Sequence, residues 1–145
     1  MGAALLVETL AGLAAGSIIP EKQDNAQATH APILKKEDGL VEWSQPALAV
    51  HNRVRGLQPW PGAFTTFRGQ PLHIWKTRVP GQATPMAPGT APGRILSLRP
   101  LLVGAADSPI ELLEVQLEGR KRIPAADFVN GQRVAENELL GETSK

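Results

Sequence analysis

Pro59-Trp60-Pro61-Gly62 divides this chain into two kinds of sequence. Two prolines around a tryptophan can neither continue a helix nor sit in the middle of a sheet, and the glycine after them admits a left-handed turn. The residues before it should be helical. Ser44 has the chemistry of an N-cap, Pro46 fits a first turn, and Leu48, Val50, His51 and Val54 carry an apolar period as far as Arg55. Gly56 is expected to close that helix as a left-handed cap, with Arg53 and Arg55 at the negative end of its dipole, worth about 0.3–1 kcal/mol each. The residues after the turn read as strand: Ala63–Phe67 and Leu72–Val79 joined by Arg68-Gly69-Gln70, then Arg94–Leu98, Leu101–Ala105 and Ile110–Gln116. Residues 53–62 are therefore a charged hinge, in which Gly56, Pro59, Pro61 and Gly62 shape the backbone and Trp60 is expected to be the packing plug.

Five short strands after a capped helix fit a small closed five-stranded barrel, in a chain that is mainly β with flanking helices (α+β). An antiparallel sandwich is the alternative from pattern alone. Phe64, Leu72, Ile74 and Trp75 should supply core. Pro80–Gly93 holds four prolines and three glycines and reads as a long loop. A short helix is expected over Pro124–Asn130, stopped at Gly131, with fraying from Glu142. Near the start, Leu6, Leu10 and Leu13 share one helical face, so Ala3–Ala15 reads as an amphipathic helix capped by Gly16. No Lys or Arg precedes its apolar residues and Glu8 interrupts them, which argues against a signal peptide. A lone helix of this length is marginal in water and needs a surface to pack on. Ser17–Asp38 has no period and reads as an extended connector with Ile18, Ile19, Ile33 and Leu34 as anchors.

The net charge of +1 conceals an uneven distribution. Residues 1–51 carry three basic and six acidic groups, residues 52–122 ten and four, and residues 123–145 two and four. From Asn52 to Ala106 there are seven Lys or Arg and no Asp or Glu, where the chain's average would place about five acids. Such a window suits a polyanion, unless acids from elsewhere in the fold neutralise it. Gly119-Arg120-Lys121-Arg122, where the last strand ends, is the densest positive patch. Lys35-Lys36 opens a charged turn.

The same sequence excludes much chemistry. With 42% hydrophobic and 20% charged residues, the 145-residue chain can bury a core of one ordinary domain. It has no cysteine, so no disulfide or thiolate metal ligand, and His30, His51 and His73 lack metal-ligand spacing. No phosphate loop, no Gly-x-Ser-x-Gly elbow and no His-Glu-x-x-His is present. Glu111 and Glu114 have opposite strand parity and should not form a close pair. A basic binding module fits better than a catalyst.

Ordered blocks carry a resemblance. Trp43-Ser44, Val50-His51-Asn52-Arg53-Val54-Arg55-Gly56, Pro59-Trp60-Pro61-Gly62-Ala63-Phe64 and Leu117-Glu118-Gly119-Arg120-Lys121-Arg122-Ile123-Pro124-Ala125-Ala126-Asp127-Phe128 resemble the C-terminal part of bacterial methionyl-tRNA formyltransferases. Gln23-Asp24, Ala31-Pro32 and Leu34–Gly39 resemble the interdomain connector of that family, and Leu5-Leu6 with Thr9-Leu10 the end of its catalytic domain. The resemblance implies a cytoplasmic enzyme that moves a formyl group from 10-formyltetrahydrofolate to methionyl initiator tRNA, with a Rossmann-like domain ahead of an OB-like one. On that basis residues 1–16 correspond to the last helix of a missing catalytic domain, 17–42 to the linker, 43–141 to the OB-like domain and 142–145 to a tail. The catalytic Asn-His-Asp set and the folate stretch belong to the other domain and match nothing here, so no catalytic residue, cofactor or metal site is expected in this chain. Lys35, Lys36, Arg53, Arg55, Arg120, Lys121 and Arg122 are the expected contacts to initiator Met-tRNA, in a monomer that does not engage membranes. Sugar-nucleotide formyltransferases with a similar C-terminal barrel, and stand-alone OB-type nucleic-acid binders, are the alternatives.

Overall fold

The hairpin after the Pro-Trp-Pro-Gly turn sets the register of the sheet. A computed structural model describes residues 2–81, 86–87 and 89–142. In it β1 (Ala63–Phe67) and β2 (Gln70–Arg78) run antiparallel with Phe67 opposite Gln70. Arg68 and Gly69 form the turn between them, both at positive φ (48° and 76°), the geometry whose twist matches the strands it joins. β3 (Ile95–Leu98) pairs with β4 (Leu101–Gly104), β4 with the start of β5 (Pro109–Leu117), and β6 (Ile123–Pro124) with Glu114 and Val115 further along β5. All pairings are antiparallel, in the order β1-β2-β5-β4-β3 with β6 beside β5. Together with α1 (Gly2–Ala14), α2 (Ala47–Gly56) and α3 (Ala125–Gln132), the class is α+β. The sheet differs from the expected five-stranded barrel: Ile123-Pro124 adds a sixth strand, and among the described residues β1 and β3 do not pair with each other. Instead the segment after α3 reaches both edges, with bridges from Leu140 to Phe67 and from Leu139 to Arg94.

The chain forms two compact units, Met1–Ile33 and Leu34–Lys145. Within the first, α1 ends in Gly16 at φ 70°, as expected, and the Ser17 and Ile18 amides donate to the Gly12 carbonyl at 3.0 and 3.3 Å. No residue of α1 is buried. The apolar residues expected to anchor the connector are exposed. Ile19 and Ile33 are 88% and 89% exposed, Leu34 is also exposed, and Ile18 merely covers Gly12.

In the second unit α2 buries Ala47, Val50 and Val54 and α3 buries Ala125, Phe128 and Val129. They join a core in which Leu72, Ile74, Ile95, Val103, Ile110 and Val115 are fully enclosed. Three helix ends differ from the sequence expectation. Ser44 does not cap α2; Asp107 Oδ1 accepts the Ala47 amide at 2.8 Å, a cap from a distant loop. Gly56 stays inside α2, which ends at Leu57 with φ −92°. Gly131 likewise lies within α3, and Arg133 takes the left-handed cap at φ 49°. Of the four expected core residues, Leu72 and Ile74 are buried while Phe64 and Trp75 are half-buried. Trp43, not anticipated as core, is buried and donates from Nε1 to the enclosed Thr65 hydroxyl at 3.1 Å. Residues 82–85 and 88 of the Pro80–Gly93 loop lie outside the described residues, as do 143–145 of the tail. Glu142 is fastened, since its carbonyl accepts the Thr66 hydroxyl at 2.7 Å.

One irregularity matters for the surface. Leu72 and Ile74 point inward on β2, but the next buried residue is Thr77, because the register with β5 shifts around Trp75 and Lys76. An inserted residue reverses the alternation of a strand. Lys76 is thereby turned out to solvent opposite Glu114.

Candidate nucleic-acid interface

The expected cations occupy three elements of the second unit. Lys35 and Lys36 are exposed at the start of a single 3-10 turn, Lys36–Gly39, in which the Lys35 amide donates to Asp38 Oδ2 at 2.7 Å. Arg53, on the last turn of α2, donates from Nη2 to the Asp38 carbonyl. The linker lysines and the helix arginine therefore share one locality. Below them the linker approaches the hinge closely: a Cβ on Gly39 would collide with the Gly62 carbonyl oxygen. Gly62 itself sits at φ 77° and donates its amide to Leu57 at 2.9 Å.

The other hinge residues separate into backbone and surface. Gln58-Pro59 and Trp60-Pro61 are both cis. Trp60 does not plug the hinge; it is 60% exposed. Gly56 has open space around it.

Arg55 and Arg122, far apart in sequence, line one groove of about 680 Å³ together with His51, Trp75, Lys76 and Glu114. α2 contributes its exposed edge, β2 the residues turned by the bulge, and the segment before β6 the arginine. Arg122 is held in place. Its Nε and Nη2 both donate to Glu114 Oε2 at 2.5 Å, and its guanidinium lies 5.0 Å over the Trp75 ring. Trp75 Nε1 in turn donates to Gln116 Oε1 at 2.8 Å, and Gln116 Nε2 donates to the Arg120 carbonyl at 2.7 Å. The basic loop is thus pinned at Arg120's backbone and Arg122's side chain. The Arg120 and Lys121 side chains remain exposed and form no ion pair among the described residues. Lys76 lies 4.0 Å from Glu114, a long contact. With three cations against one carboxylate the groove is positive. His51 Nδ1 lies 2.8 Å from Thr77 Oγ1, and burial, then the charge of Arg55, holds the imidazole below its ordinary pKa.

Not every cation of the acid-free window is free. Arg68 makes a two-pronged pair with Glu138, Nε to Oε2 and Nη2 to Oε1, both 2.8 Å. Arg78 meets Glu111 directly across the β2–β5 ladder at 2.6 Å. Acids from β5 and from the segment after α3 therefore neutralise part of the window, as the sequence alternative allowed. Lys76, Trp75 and His51 belong to the groove but were not among the expected contacts; a helix residue, a strand pair and a bulge meet there only through tertiary packing. Among the described residues no three His, Asp or Glu side chains are grouped to hold a metal ion, and no helix is long and apolar enough to cross a membrane.

The second unit is thus an α+β domain: an open six-stranded antiparallel sheet flanked by two short helices, with a positive groove between α2 and the β2–β5 face. Residues 33–133 match the family described as "Formyl transferase, C-terminal domain", and the chain belongs to that family. It is 69% identical over 142 residues to the methionyl-tRNA formyltransferase of Solibacter usitatus (strain Ellin6076), covering 98% of this chain and 44% of that protein. The methionyl-tRNA formyltransferase of Koribacter versatilis (strain Ellin345) is 48% identical over 146 residues, 99% of this chain and 45% of the relative. The chain thus spans less than half the length of these curated relatives. Among solved structures, HypX from Aquifex aeolicus in complex with tetrahydrofolic acid matches with a TM-score of 0.55 at 19% identity, over 92% of this chain and 23% of that one. That likeness shows the fold alone.

Proposed function

We propose that this chain is the tRNA-holding C-terminal part of a methionyl-tRNA formyltransferase, acting in the cytoplasm as a monomer. The formyl transfer itself, from 10-formyltetrahydrofolate, takes place in a Rossmann-like domain outside residues 1–145. Residues 1–16 belong with that domain, residues 17–42 connect, and residues 43–141 form an OB-like barrel closed by the 137–141 segment. The bridges from Leu139 and Leu140 to both sheet edges support the barrel reading. The exposed stripe of Leu6, Leu10 and Leu13 on α1 supports the placement of the first helix.

The observation that carries the RNA reading is the convergence of Arg55 and Arg122 on one positive groove. Lys35, Lys36 and Arg53 form a second basic locality at the hinge, and Arg120 and Lys121 extend the first. Contacts of this kind grip phosphates without reading bases, and they fix the register of the RNA on the protein. In the whole enzyme the binding energy becomes orientation of the aminoacyl end at a distant active site. The names of the curated relatives favour tRNA over a sugar nucleotide as the substrate.

The test is a titration of the purified chain with initiator Met-tRNA over a range of salt. Binding that weakens with a log–log slope on the order of −2 to −5 is expected. A flat titration at low salt, or affinity indifferent to salt, would overturn the reading.

A further inference from the structure

The groove between α2 and the β2–β5 face holds something that general attraction to RNA does not require, a histidine among its cations. His51 is held between its own helix and β2, where Thr77 Oγ1 meets Nδ1. The groups around it come from every wall. Arg55 is on the same helix, Lys76 and Thr77 are on β2, Glu114 is on β5, and Arg122 precedes β6. Glu114 is the one carboxylate among them, and it is already engaged by Arg122 at 2.5 Å and Lys76 at 4.0 Å. The groove therefore offers His51 three cations and no uncommitted negative charge.

We infer that this groove seats one phosphodiester of the bound RNA between Arg55, Lys76 and Arg122, and that its occupation draws a proton from solvent onto His51. The inference rests on the RNA-holding reading above. A phosphate supplies the negative charge whose absence disfavours the imidazolium, and it offsets the repulsion from Arg55 that adds to burial in holding the ring below its ordinary pKa. A group that binds a proton on complex formation strengthens the complex as pH falls. Histidine is the side chain that does so near neutrality. The bulge in β2 serves this arrangement, because it turns Lys76 outward while sending Thr77 inward toward His51.

The experiment measures initiator tRNA affinity of the 145-residue chain at pH 7.5 and pH 5.5 at constant ionic strength, for the wild type, His51→Gln and Lys76→Gln. A second arm follows the His51 ring by NMR while sulfate, whose charge is constant over this range, is added to the wild type. Expected are a gain of about threefold or more at pH 5.5 in the wild type, which takes at least about half a pKa unit of coupling, no gain in His51→Gln, and weaker binding by Lys76→Gln at both pH values. Sulfate should move the His51 titration midpoint upward. Strong, salt-dependent tRNA binding that is equal at both pH values, or a gain that persists in His51→Gln, overturns this inference and leaves the RNA reading standing. If no tRNA binds, the RNA reading fails, and the sulfate arm decides the groove on its own. An unmoved midpoint eliminates the anion seat, and a raised one retains it for another phosphate ligand.

Discussion

Arg68 and Lys121 lie on opposite sides of one distinction. Both are exposed cations on turns of the same sheet. Every nitrogen of the Arg68 guanidinium has a partner: Nε and Nη2 donate to Glu138, Nη1 to the Gln132 carbonyl at 3.1 Å and Nη2 also to the Arg133 carbonyl at 3.4 Å, and the guanidinium lies 4.7 Å over the Phe67 ring. Lys121 has no carboxylate within reach among the described residues. A cation with its partners already in place fastens the fold, and one without them is available to a ligand. Charge counted along the chain does not separate the two; position in the fold does.

The distinction is broken most sharply by removing Arg68. Arg68→Gln should cost about 1–2 kcal/mol of stability, the upper end for an exposed ion pair together with its lost carbonyl bonds. The same substitution should leave tRNA affinity within about twofold when measured where the variant is fully folded. Chemical denaturation and a binding titration on one sample check both halves. A variant as stable as the wild type that bound tRNA tenfold more weakly would place Arg68 among the ligand contacts.

Asp107 sharpens the comparison from the acidic side. It is the first acid after the acid-free window, yet among the described residues it forms no ion pair, and it caps α2 through the Ala47 amide. Asp107→Ala should lose about 1 kcal/mol. The Ala47 amide holds the Asp107 carboxyl below its ordinary pKa, and the hydrogen bond from Arg68 does the same for Glu138. A carboxyl depressed in the folded state gives stability that is full above its unfolded pKa and is lost as pH falls through the folded value. The share of stability these two carboxylates contribute should therefore hold from neutrality to about pH 5 and decline below it, while His51, depressed by burial and Arg55, lowers stability already as pH falls through its unfolded value. The decline should be shallower in Asp107→Ala, as denaturation at pH 7, 4 and 2.5 would show.

These particulars mark what was legible in the sequence. Strand positions were readable because Ala63–Phe67 and Ile110–Gln116 are local patterns closed by Gly and Pro, and Arg68-Gly69 is a turn with its own geometry. The formyltransferase-family blocks were readable because whole words stand in the family's order. Helix ends were not, since the cap on α2 comes from Asp107, which no window around Ser44 contains. Trp60 was expected inside because tryptophan carries much apolar area. A residue between two prolines has neither a helix face nor a strand face to bury, and that is a signal the chain did contain. The groove was half legible. Arg55 and Arg122 announced themselves by charge, whereas Lys76 and His51 reach it through a β-bulge and a helix face that only the packed sheet defines.

The smallest effect tests the free side of the comparison. Lys121→Gln removes a cation that has no ion pair among the described residues, so it should leave stability within about 0.5 kcal/mol. If Lys121 meets one phosphate, the variant should reduce the slope of log affinity against log salt by about 0.7–0.9, the counterions released per contact. Arg122→Gln should differ in kind, because it also releases Glu114 and uncovers Trp75. Its affinity loss should exceed that of Lys121→Gln although the slope changes by about the same amount, since Glu114, left with only its long contact to Lys76, then repels the phosphate. Equal losses in both variants would mean that Glu114 does not face the ligand, and that pinning Arg122 to it serves the loop rather than the groove.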